Sequence, residues 1–99
     1  MRRYIVSPQA VDDLFEIWCY LAEHAGVDTA NRVEDEIYAA FESLARMPGQ
    51  GHRRPDLTSH PVLFVAVYSY MIVFRRKDPL EIVGVLHAKR NLEDILKQR

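Results

Sequence analysis

The sequence is poor in the features that mark secreted, membrane or redox-active proteins. Its 99 residues include one cysteine, Cys19, so an internal disulfide is excluded. No apolar run approaches the roughly 20 residues that span a bilayer, and the first residues lack the apolar region and cleavage site of a signal peptide. We therefore expect a cytoplasmic protein without a membrane segment, formed by a single domain over residues 1–99.

The patterns that bind metals or phosphates are also missing. No CxxC pair exists, and no HxxxH pair is formed by the four histidines, His24, His52, His60 and His87. Gly49 and Gly51 are not followed by the Lys-Ser/Thr pair of a phosphate-binding loop. Cys19 lies between Trp18 and Tyr20, which favours inert packing over nucleophilic chemistry. The sequence therefore predicts no metal and no cofactor.

The net charge of −1 conceals an uneven distribution of charged residues. Residues 1–48 hold four arginines against nine acids, a balance of −5, whereas residues 49–99 hold nine Lys and Arg against five acids, a balance of +4. The second half should therefore expose a basic surface that attracts an acidic partner. The whole chain lacks the strong positive excess of a nucleic-acid-binding protein, so direct nucleic-acid binding is not expected.

The first quarter of the sequence predicts a short strand and a helix. Residues 3–6 are β-prone, and Ser7-Pro8 has the form of an N-cap followed by proline at the first helical position. Asp12 and Asp13 lie near that start, where the helix dipole favours anions. Gly26 should end the helix. One apolar face is predicted from residues at three- and four-residue steps, namely Val11, Leu14, Phe15, Trp18, Leu21, Ala22 and Ala25.

A second helix should follow almost at once. Asp28 is its predicted N-cap, and Pro48-Gly49 is its predicted end, with Arg46 in the last turn. Its apolar stripe consists of Ala30, Val33, Ile37, Ala40, Phe41 and Leu44. The short link at Gly26 predicts an antiparallel helical hairpin.

The second half predicts a loop, three strands and a short helix. The loop covers residues 49–61, with a short extended piece at 52–54. Runs rich in β-branched and aromatic residues predict strands over 62–67, 70–76 and 80–87, with a turn at Lys77-Asp78-Pro79. Asn91 should cap a last helix over 92–98.

These elements predict an α+β fold of order β-α-α-β-β-β-α. An antiparallel sheet packed on the helical hairpin, which covers one of its faces, is the simplest arrangement. Trp18, Phe15, Phe41 and Ile37 should fill the layer between the hairpin and the sheet.

Four stretches carry a family resemblance. They are residues 4–18, from Tyr-Ile-Val-Ser-Pro to Glu-Ile-Trp; residues 44–51, Leu-Ala-Arg-Met-Pro-Gly-Gln-Gly; residues 70–75, Tyr-Met-Ile-Val-Phe-Arg; and residues 80–92, which end on His-Ala-Lys-Arg-Asn-Leu. In this order they resemble the RelE/ParE superfamily of bacterial toxins from type II toxin–antitoxin systems, and within it they are closer to ParE.

The resemblance implies one of two activities. ParE-like members inhibit DNA gyrase by protein contact and perform no chemistry, and a ParD-type antitoxin with a ribbon-helix-helix head neutralises them in a hetero-oligomer. RelE-like members are ribosome-dependent mRNA endoribonucleases that need no metal. A third alternative is an inactive relative that only modulates the binding of the antitoxin to its operator.

Three departures from the resemblance favour the first activity. Phe64 and Gly84 stand where many relatives have arginine, and Phe74 replaces a tyrosine. Each departure removes a polar group from the sheet face on which RNA would lie, and RNA cleavage without metal needs an acid, a base and cations. Phe64 and Gly84 also depart from patterns common in ParE relatives.

His87 is the residue whose role separates the two activities. In a nuclease it would be the acid, with Arg75 and Arg90 nearby; otherwise it shapes the corner after the last strand or contacts a partner. For a protein-binding toxin, the resemblance and the basic surface indicate antitoxin- or target-binding residues, namely Arg75, Arg76, Lys89, Arg90, Leu92, Ile95 and Leu96. The last three also fit the packed face of a closing helix, which is the ordinary interpretation.

Overall fold

The computed structural model describes residues 3–47 and 49–99. The strands are β1 (Tyr4–Val6), β2 (Leu63–Val67), β3 (Tyr70–Arg75) and β4 (Leu80–His87), and the helices are α1 (Pro8–Ala25), α2 (Val27–Arg46) and α3 (Leu92–Lys97). The predicted α+β class and the order β-α-α-β-β-β-α are confirmed. The bounds of β4 agree with the prediction at both ends, whereas β2, β3 and α3 are each one residue shorter than predicted.

Helix α1 begins as the sequence predicts. Ser7 is extended, its hydroxyl accepts the N–H of Ala10 at 3.1 Å, and Pro8 is the first helical residue. Gly26, with φ of 98°, follows the last residue of the helix. The expected interaction of Asp12 and Asp13 with the helix dipole is wrong, because the first turn contains no acidic residue. Asp13 instead points inward and is only 6% exposed.

Helix α2 begins one residue earlier than predicted. It starts at Val27 directly after Gly26, so Asp28 lies inside its first turn and makes no capping hydrogen bond. The prediction of an Asp28 N-cap is therefore wrong. The helix ends at Arg46, and the N–H of Met47 donates to the carbonyl of Ser43 at 2.9 Å. The predicted end at Pro48-Gly49 includes Pro48, which lies outside the described residues.

The four strands form one sheet of order β1-β4-β3-β2. Strands β2, β3 and β4 are antiparallel, as predicted, whereas β1 joins β4 in parallel. Parallel strands need a long connection, and here the helical hairpin, β2 and β3 all lie between β1 and β4 along the chain. Strand β1 pairs only with residues 80–82, so the rest of β4 has no strand on that side.

The hairpin and one sheet face enclose the larger core. Ile37 and Phe41 of α2 are fully buried against Ile72 and Phe74 of the sheet. Each fully buried large apolar side chain contributes roughly 1.5–3 kcal/mol relative to its exposed state. The predicted stripe of α2 is confirmed, because Ala30, Val33, Ile37, Phe41 and Leu44 are buried and Ala40 is partly buried.

The opposite sheet face is also covered, which the sequence did not predict. Leu92 and Leu96 of α3 pack against Phe64, Val73 and Leu86 in a second buried cluster. Leu57 from the long loop adds to its edge. The sheet therefore lies between two layers, and the face expected to be open is closed by apolar side chains.

The predicted apolar face of α1 is wrong in part. Phe15 is 68% exposed and Val11 is 51% exposed, so neither fills the layer between hairpin and sheet. That layer receives Ala10 and Leu14, with the partly buried Ile17 and Leu21 beside them. Trp18 is half-buried at the margin, where its indole N–H donates to Asn31 of α2 at 2.9 Å.

The long loop is tied to the outer edge of the sheet at one point. His52 and Phe64 exchange two backbone hydrogen bonds of 2.9 and 2.8 Å, so the predicted extended piece at 52–54 is reduced to a bridge at His52. Among the described residues, no helix combines the length and the apolar character needed to cross a bilayer.

Candidate functional site

The predicted cations lie at opposite ends of the sheet. Arg75 is in register with Glu81, whereas His87 is in register with Tyr70. Glu81 and His87 are six positions apart in β4, roughly 20 Å at the usual rise of a strand. The expectation that Arg75 lies near His87 is therefore wrong, whereas His87 and Arg90 lie together at the corner and line the same cavity.

Arg75 is engaged by a carboxylate of its own sheet. Its guanidinium donates to Glu81 at 2.9 Å, and Lys77 lies 3.6 Å from the same carboxylate. The hydrogen bond from Arg75 lowers the pKa of Glu81. Arg76, the next residue, is exposed and forms no ion pair with a described residue. Of this basic pair, Arg76 has the charge available to an outside partner.

His87 organises the corner after β4. Its Nδ1 accepts the N–H of Lys89 at 3.1 Å, and its carbonyl accepts the N–H of Arg90 at 3.0 Å. The imidazole also meets the ring of Tyr70 edge-on at 5.5 Å. Accepting a backbone N–H leaves Nδ1 without a proton, so only Nε2 is available to donate. These contacts agree with the corner role.

Lys89 and Arg90 project from this corner. Both are exposed, and neither forms an ion pair within the part of the chain that the structure describes. An exposed cation that forms no ion pair within the described chain can steer and bind an acidic partner. Of the predicted partner contacts, these two have the most accessible charge together with Arg76.

A cavity of about 700 Å³ opens beside the corner, between α1 and the end of the sheet. Apolar residues of its lining include Ile17, Leu21 and Val85, and the exposed Tyr20 and Tyr68 also line it. Its charged lining residues are Asp13, Glu16 and Arg90. Both of these tyrosines are more than half exposed, at 57% and 58%. The volume lies within the roughly 300–1,000 Å³ of sites that hold ligands.

Tyr70 forms a wall of this cavity, between its apolar lining residues and His87. The side chain is 8% exposed, and its burial, assisted by the nearby Tyr20, raises the pKa of its hydroxyl. A phenol with a raised pKa stays neutral at physiological pH and does not act as a base. The cavity wall is therefore uncharged at this point.

Asp13 and Arg99 form an ion pair on the neighbouring edge of β4. Nη1 and Nη2 of Arg99 donate to the two carboxylate oxygens of Asp13 at 2.6 and 2.8 Å. Asp13 also accepts the N–H of Val85 at 3.0 Å, and Ser7 donates to the carbonyl of Val83 at 3.1 Å. These side chains satisfy the backbone of β4 beyond the point where β1 ends.

Gly84 leaves the space that the Arg99 guanidinium occupies. A Cβ at this position would lie 2.6 Å from Nη1 of Arg99 and 3.3 Å from Oδ2 of Asp13. Where the resemblance led us to expect an arginine in the strand, this chain therefore holds a guanidinium from residue 99. Sequence patterns do not predict this pair, because Asp13 and Arg99 are 86 positions apart.

The two phenylalanine departures lie on opposite faces of the sheet. Phe64 is buried in the cluster under α3, and Phe74 is buried in the larger core under the hairpin. Neither position is open to solvent, so a polar side chain at either one would not project onto a free surface in this chain.

The apolar residues of α3 contact the protein itself. Leu92 and Leu96 are 5% and 3% exposed, and Ile95 is partly buried beside them. The ordinary interpretation of a packed closing helix describes these contacts. A partner would reach Leu92 or Leu96 only if α3 left the sheet.

Metal-binding groups are not clustered in the described part of the chain. Within residues 3–47 and 49–99, no group of three or more His, Cys, Asp or Glu side chains lies close enough to hold a metal ion. Cys19 is exposed, rather than packed as the sequence suggested.

The fold is that of a known toxin class. A solved structure described as "Chromosomal ParDE TA system from P. aeruginosa" superposes with a TM-score of 0.74 at 20% identity, covering 88% of this chain and 96% of that chain. At this identity the likeness concerns the fold alone, which is the α+β fold of RelE/ParE-like toxins.

The sequence comparisons identify the family. The family model described as "ParE toxin of type II toxin-antitoxin system, parDE" matches residues 4–92. Toxin ParE1 of Caulobacter vibrioides is 32% identical over 91 residues, which cover 92% of this chain and 94% of that protein. The chain therefore belongs to the ParE toxin family of type II toxin–antitoxin systems, as the resemblance indicated.

Proposed function

We propose that this protein inhibits DNA gyrase by binding to it in the cytoplasm, and that a ParD-type antitoxin with a ribbon-helix-helix head neutralises it in a hetero-oligomer. The protein performs no chemistry of its own in this proposal and does not bind nucleic acid directly. Membership of the ParE family supports the toxin class, and the surface of the sheet supports the mode of action.

The single observation that carries the proposal is the closure of both sheet faces. RNA cleavage without metal needs an acid and cations converging on one phosphate. The described sheet faces instead present buried apolar residues to the hairpin and to α3. Arg75 is paired with Glu81 at the far end of the sheet from His87. A binding surface accounts for this arrangement without any catalytic group.

The antitoxin contact is proposed for the exposed cations. Lys89 and Arg90 at the corner, and Arg76 at the other end of β3, are accessible and lack ion-pair partners among the described residues. Acidic residues of the antitoxin would pair with them and raise the association rate. Arg75 contributes less, because Glu81 already compensates its charge.

Expression in bacterial cells tests the proposed activity. We expect filamentation and DNA damage, both suppressed by the co-expressed antitoxin, and intact mRNA. Cleavage of mRNA inside codons on translating ribosomes would instead support the RelE-like endoribonuclease. Growth unaffected by the protein, with the antitoxin still bound, would support the inactive relative.

A charge-reversal variant tests the antitoxin surface. Lys89→Glu with Arg90→Glu should weaken antitoxin binding by tenfold or more and make the binding less sensitive to salt. The matched control is Arg32→Glu with Arg53→Glu, which gives the same net charge at two exposed positions elsewhere. Equal losses of antitoxin affinity in the two variants would mean that the net charge alone determines binding, and the proposed surface would be wrong.

A further inference from the structure

We propose that the outer side of the helical hairpin, centred on Phe15, is the surface with which this toxin contacts a cationic patch of DNA gyrase. This inference rests on the proposed function and deepens it. It assigns the face of the toxin that meets the target and the chemistry of the target surface, neither of which family membership supplies.

The exposed side of α1 carries an apolar stripe that does not pack in the core. Val11, Phe15 and Cys19 follow one another at four-residue steps, so they lie along one side of the helix, and all three are exposed. Phe15, in the middle of this outer stripe, is 68% exposed. The core is filled by other residues of α1, which include Ala10 and Leu14. Neighbouring apolar side chains that are open to solvent on a rigid helix are typical of a protein-binding surface.

The charges of the hairpin indicate the chemistry of the partner. The exposed charged residues of α1 and α2 are acidic, apart from Arg32 and Arg46. These carboxylates form no ion pair with a described residue, and they are Asp12, Glu16, Glu23, Asp28, Asp35, Glu36 and Glu42. Like charges on one surface repel one another, and a cationic partner relieves that repulsion.

Two of these carboxylates lie close to cations of the protein itself. Asp12 and Glu16 line a small cavity together with Arg90 and Arg99. After the dominant hydrogen bond to Asp13, both carboxylates also help to raise the pKa of Arg99. Their charge is therefore partly compensated, and the remaining hairpin carboxylates have the charge that is available to a partner.

Asp35 and Glu23 are the available carboxylates that border the outer stripe. Trp18, one turn from Phe15, donates to Asn31 of α2, which lies one turn before Asp35. Because the two helices are antiparallel, Asp35 lies on the side of α2 that adjoins Phe15. Glu23 is exposed on α1, two turns beyond Phe15. An aromatic side chain therefore stands between acidic residues of both helices.

A DNA-handling enzyme fits this combination. Proteins that bind DNA present Lys and Arg to its phosphates, so the proposed target has cationic surfaces. An acidic face with an apolar centre would meet such a surface through long-range attraction and would then bury Phe15. The exposed Lys89 and Arg90 have the opposite sign and suit an acidic partner instead. The toxin therefore has two surfaces of different chemistry for two partners.

Removing the exposed ring tests the surface. Phe15→Ala should raise the toxin concentration that halves the supercoiling activity of gyrase by tenfold or more. Antitoxin affinity should change by less than twofold, and the unfolding midpoint should stay unchanged. Ile5→Ala is the matched control, because Ile5 is 46% exposed and points to the opposite face of the sheet from Tyr4 and Val6, which pack against the larger core. It should change inhibition by less than twofold.

Reversing the charge tests the chemistry of the target. Glu23→Lys with Asp35→Lys should weaken gyrase inhibition by tenfold or more at low salt and by less at high salt. The control is Asp56→Lys with Glu93→Lys, which gives the same net charge at exposed positions outside the hairpin. Equal losses of inhibition in the two double variants would overturn the inference, because the net charge alone would then determine inhibition.

The outcomes separate this inference from the proposed function. If the unaltered protein inhibits gyrase and Phe15→Ala inhibits it within twofold, the inference is wrong and the proposed function stands. The inference is also wrong if Phe15→Ala loses antitoxin affinity to the same extent, because the antitoxin then covers this face. It is equally wrong if Phe15→Ala only converts a dimer of the toxin into monomers. If the unaltered protein does not inhibit gyrase, both proposals are wrong.

Discussion

Asp13 and Arg99 join the first helix to the last residue of the chain through two hydrogen bonds of 2.6 and 2.8 Å. Asp13 at the same time accepts the backbone N–H of Val85. The pair therefore fixes α1, the unpaired edge of β4 and the segment after α3 in one arrangement. A bidentate arginine–carboxylate pair that is mostly buried is among the stronger polar contacts in a protein.

Removing the carboxylate should destabilise the fold strongly. Asp13→Ala leaves Arg99 without its partner and the Val85 N–H without its acceptor, so we expect a loss of about 2–4 kcal/mol in the free energy of unfolding. Asp13→Asn should cost less, because its amide oxygen can still accept from Val85. Urea unfolding measures both. A loss below about 0.5 kcal/mol for Asp13→Ala would contradict the described role of the pair.

A substitution at Gly84 should act through Arg99. The Cβ of Gly84→Ala would lie 2.6 Å from Nη1, so the guanidinium must move and the pair with Asp13 weakens. We expect a loss of about 1–2 kcal/mol in the unaltered background and clearly less in an Arg99→Ala background. A double-mutant cycle by urea unfolding measures the coupling. Equal losses in the free energy of unfolding in the two backgrounds would show that Gly84 does not act by leaving space for Arg99.

The pair of Arg75 and Glu81 should make stability depend on pH in the acid range. Because folding lowers the pKa of Glu81, its stabilisation is fully present above the pKa of the unfolded state and is lost as the pH falls through the folded pKa. Glu81→Gln should therefore lower the free energy of unfolding by about 0.5–1 kcal/mol at pH 7 and by less at pH 3. Arg75 is about a third exposed, so added salt should reduce the difference.

A second glutamate provides the control for that pH dependence. Glu93 lies 4.0 Å from Lys97, and both side chains are more than half exposed. Glu93→Gln should change the free energy of unfolding by less than about 0.3 kcal/mol at either pH. A pH-independent cost for Glu81→Gln would show that its carboxylate acts through packing and not through charge.

Two phenylalanines test which face of the hairpin is buried. Phe41→Ala should lower the free energy of unfolding by about 3–5 kcal/mol, because the ring is fully buried between α2 and the sheet. Phe15→Ala should stay within about 0.5 kcal/mol, since Phe15 is 68% exposed. Thermal or urea unfolding of both variants decides the matter. A large loss in the free energy of unfolding for Phe15→Ala would instead support the packing of Phe15 that the sequence predicted.

Local signals were enough to predict most of the fold. Ser7 followed by Pro8 marks the start of α1, Gly26 marks its end, and Asn91 caps α3 with an oxygen that accepts the N–H of Asp94. Each of these signals acts within one turn of the chain. The run of β4 predicted both ends of that strand, because it is mostly apolar despite Glu81 and Gly84 and lies between Pro79 and the polar corner at Lys89-Arg90.

The wrong predictions concern features that depend on contacts between distant parts of the chain. Helix α1 has two adjacent apolar stripes, and only packing against the sheet selects the one with Leu14 over the one with Phe15. The pairing of Asp13 with Arg99 and the cover of α3 over Phe64 also depend on tertiary contacts. Periodicity within a helix or strand carries no information about them.

The sequence identified the cations of the candidate site but not their arrangement. Arg75 and Arg90 are both basic and both follow strand residues, yet the register separates their ends of the sheet by roughly 20 Å. The cavity was missed entirely, because its lining combines residues of α1, α2 and β4 with the turn between β2 and β3. The available signal was a turn at Tyr68-Ser69 that contains neither glycine nor asparagine.

The central claim is that this toxin acts by binding, and inhibition of purified DNA gyrase tests it most directly. ATP-dependent supercoiling of relaxed plasmid should fall as the protein is added, should recover when the antitoxin is added, and should fall equally with His87→Ala. Supercoiling that remains unaffected by a large excess of folded protein would contradict the account.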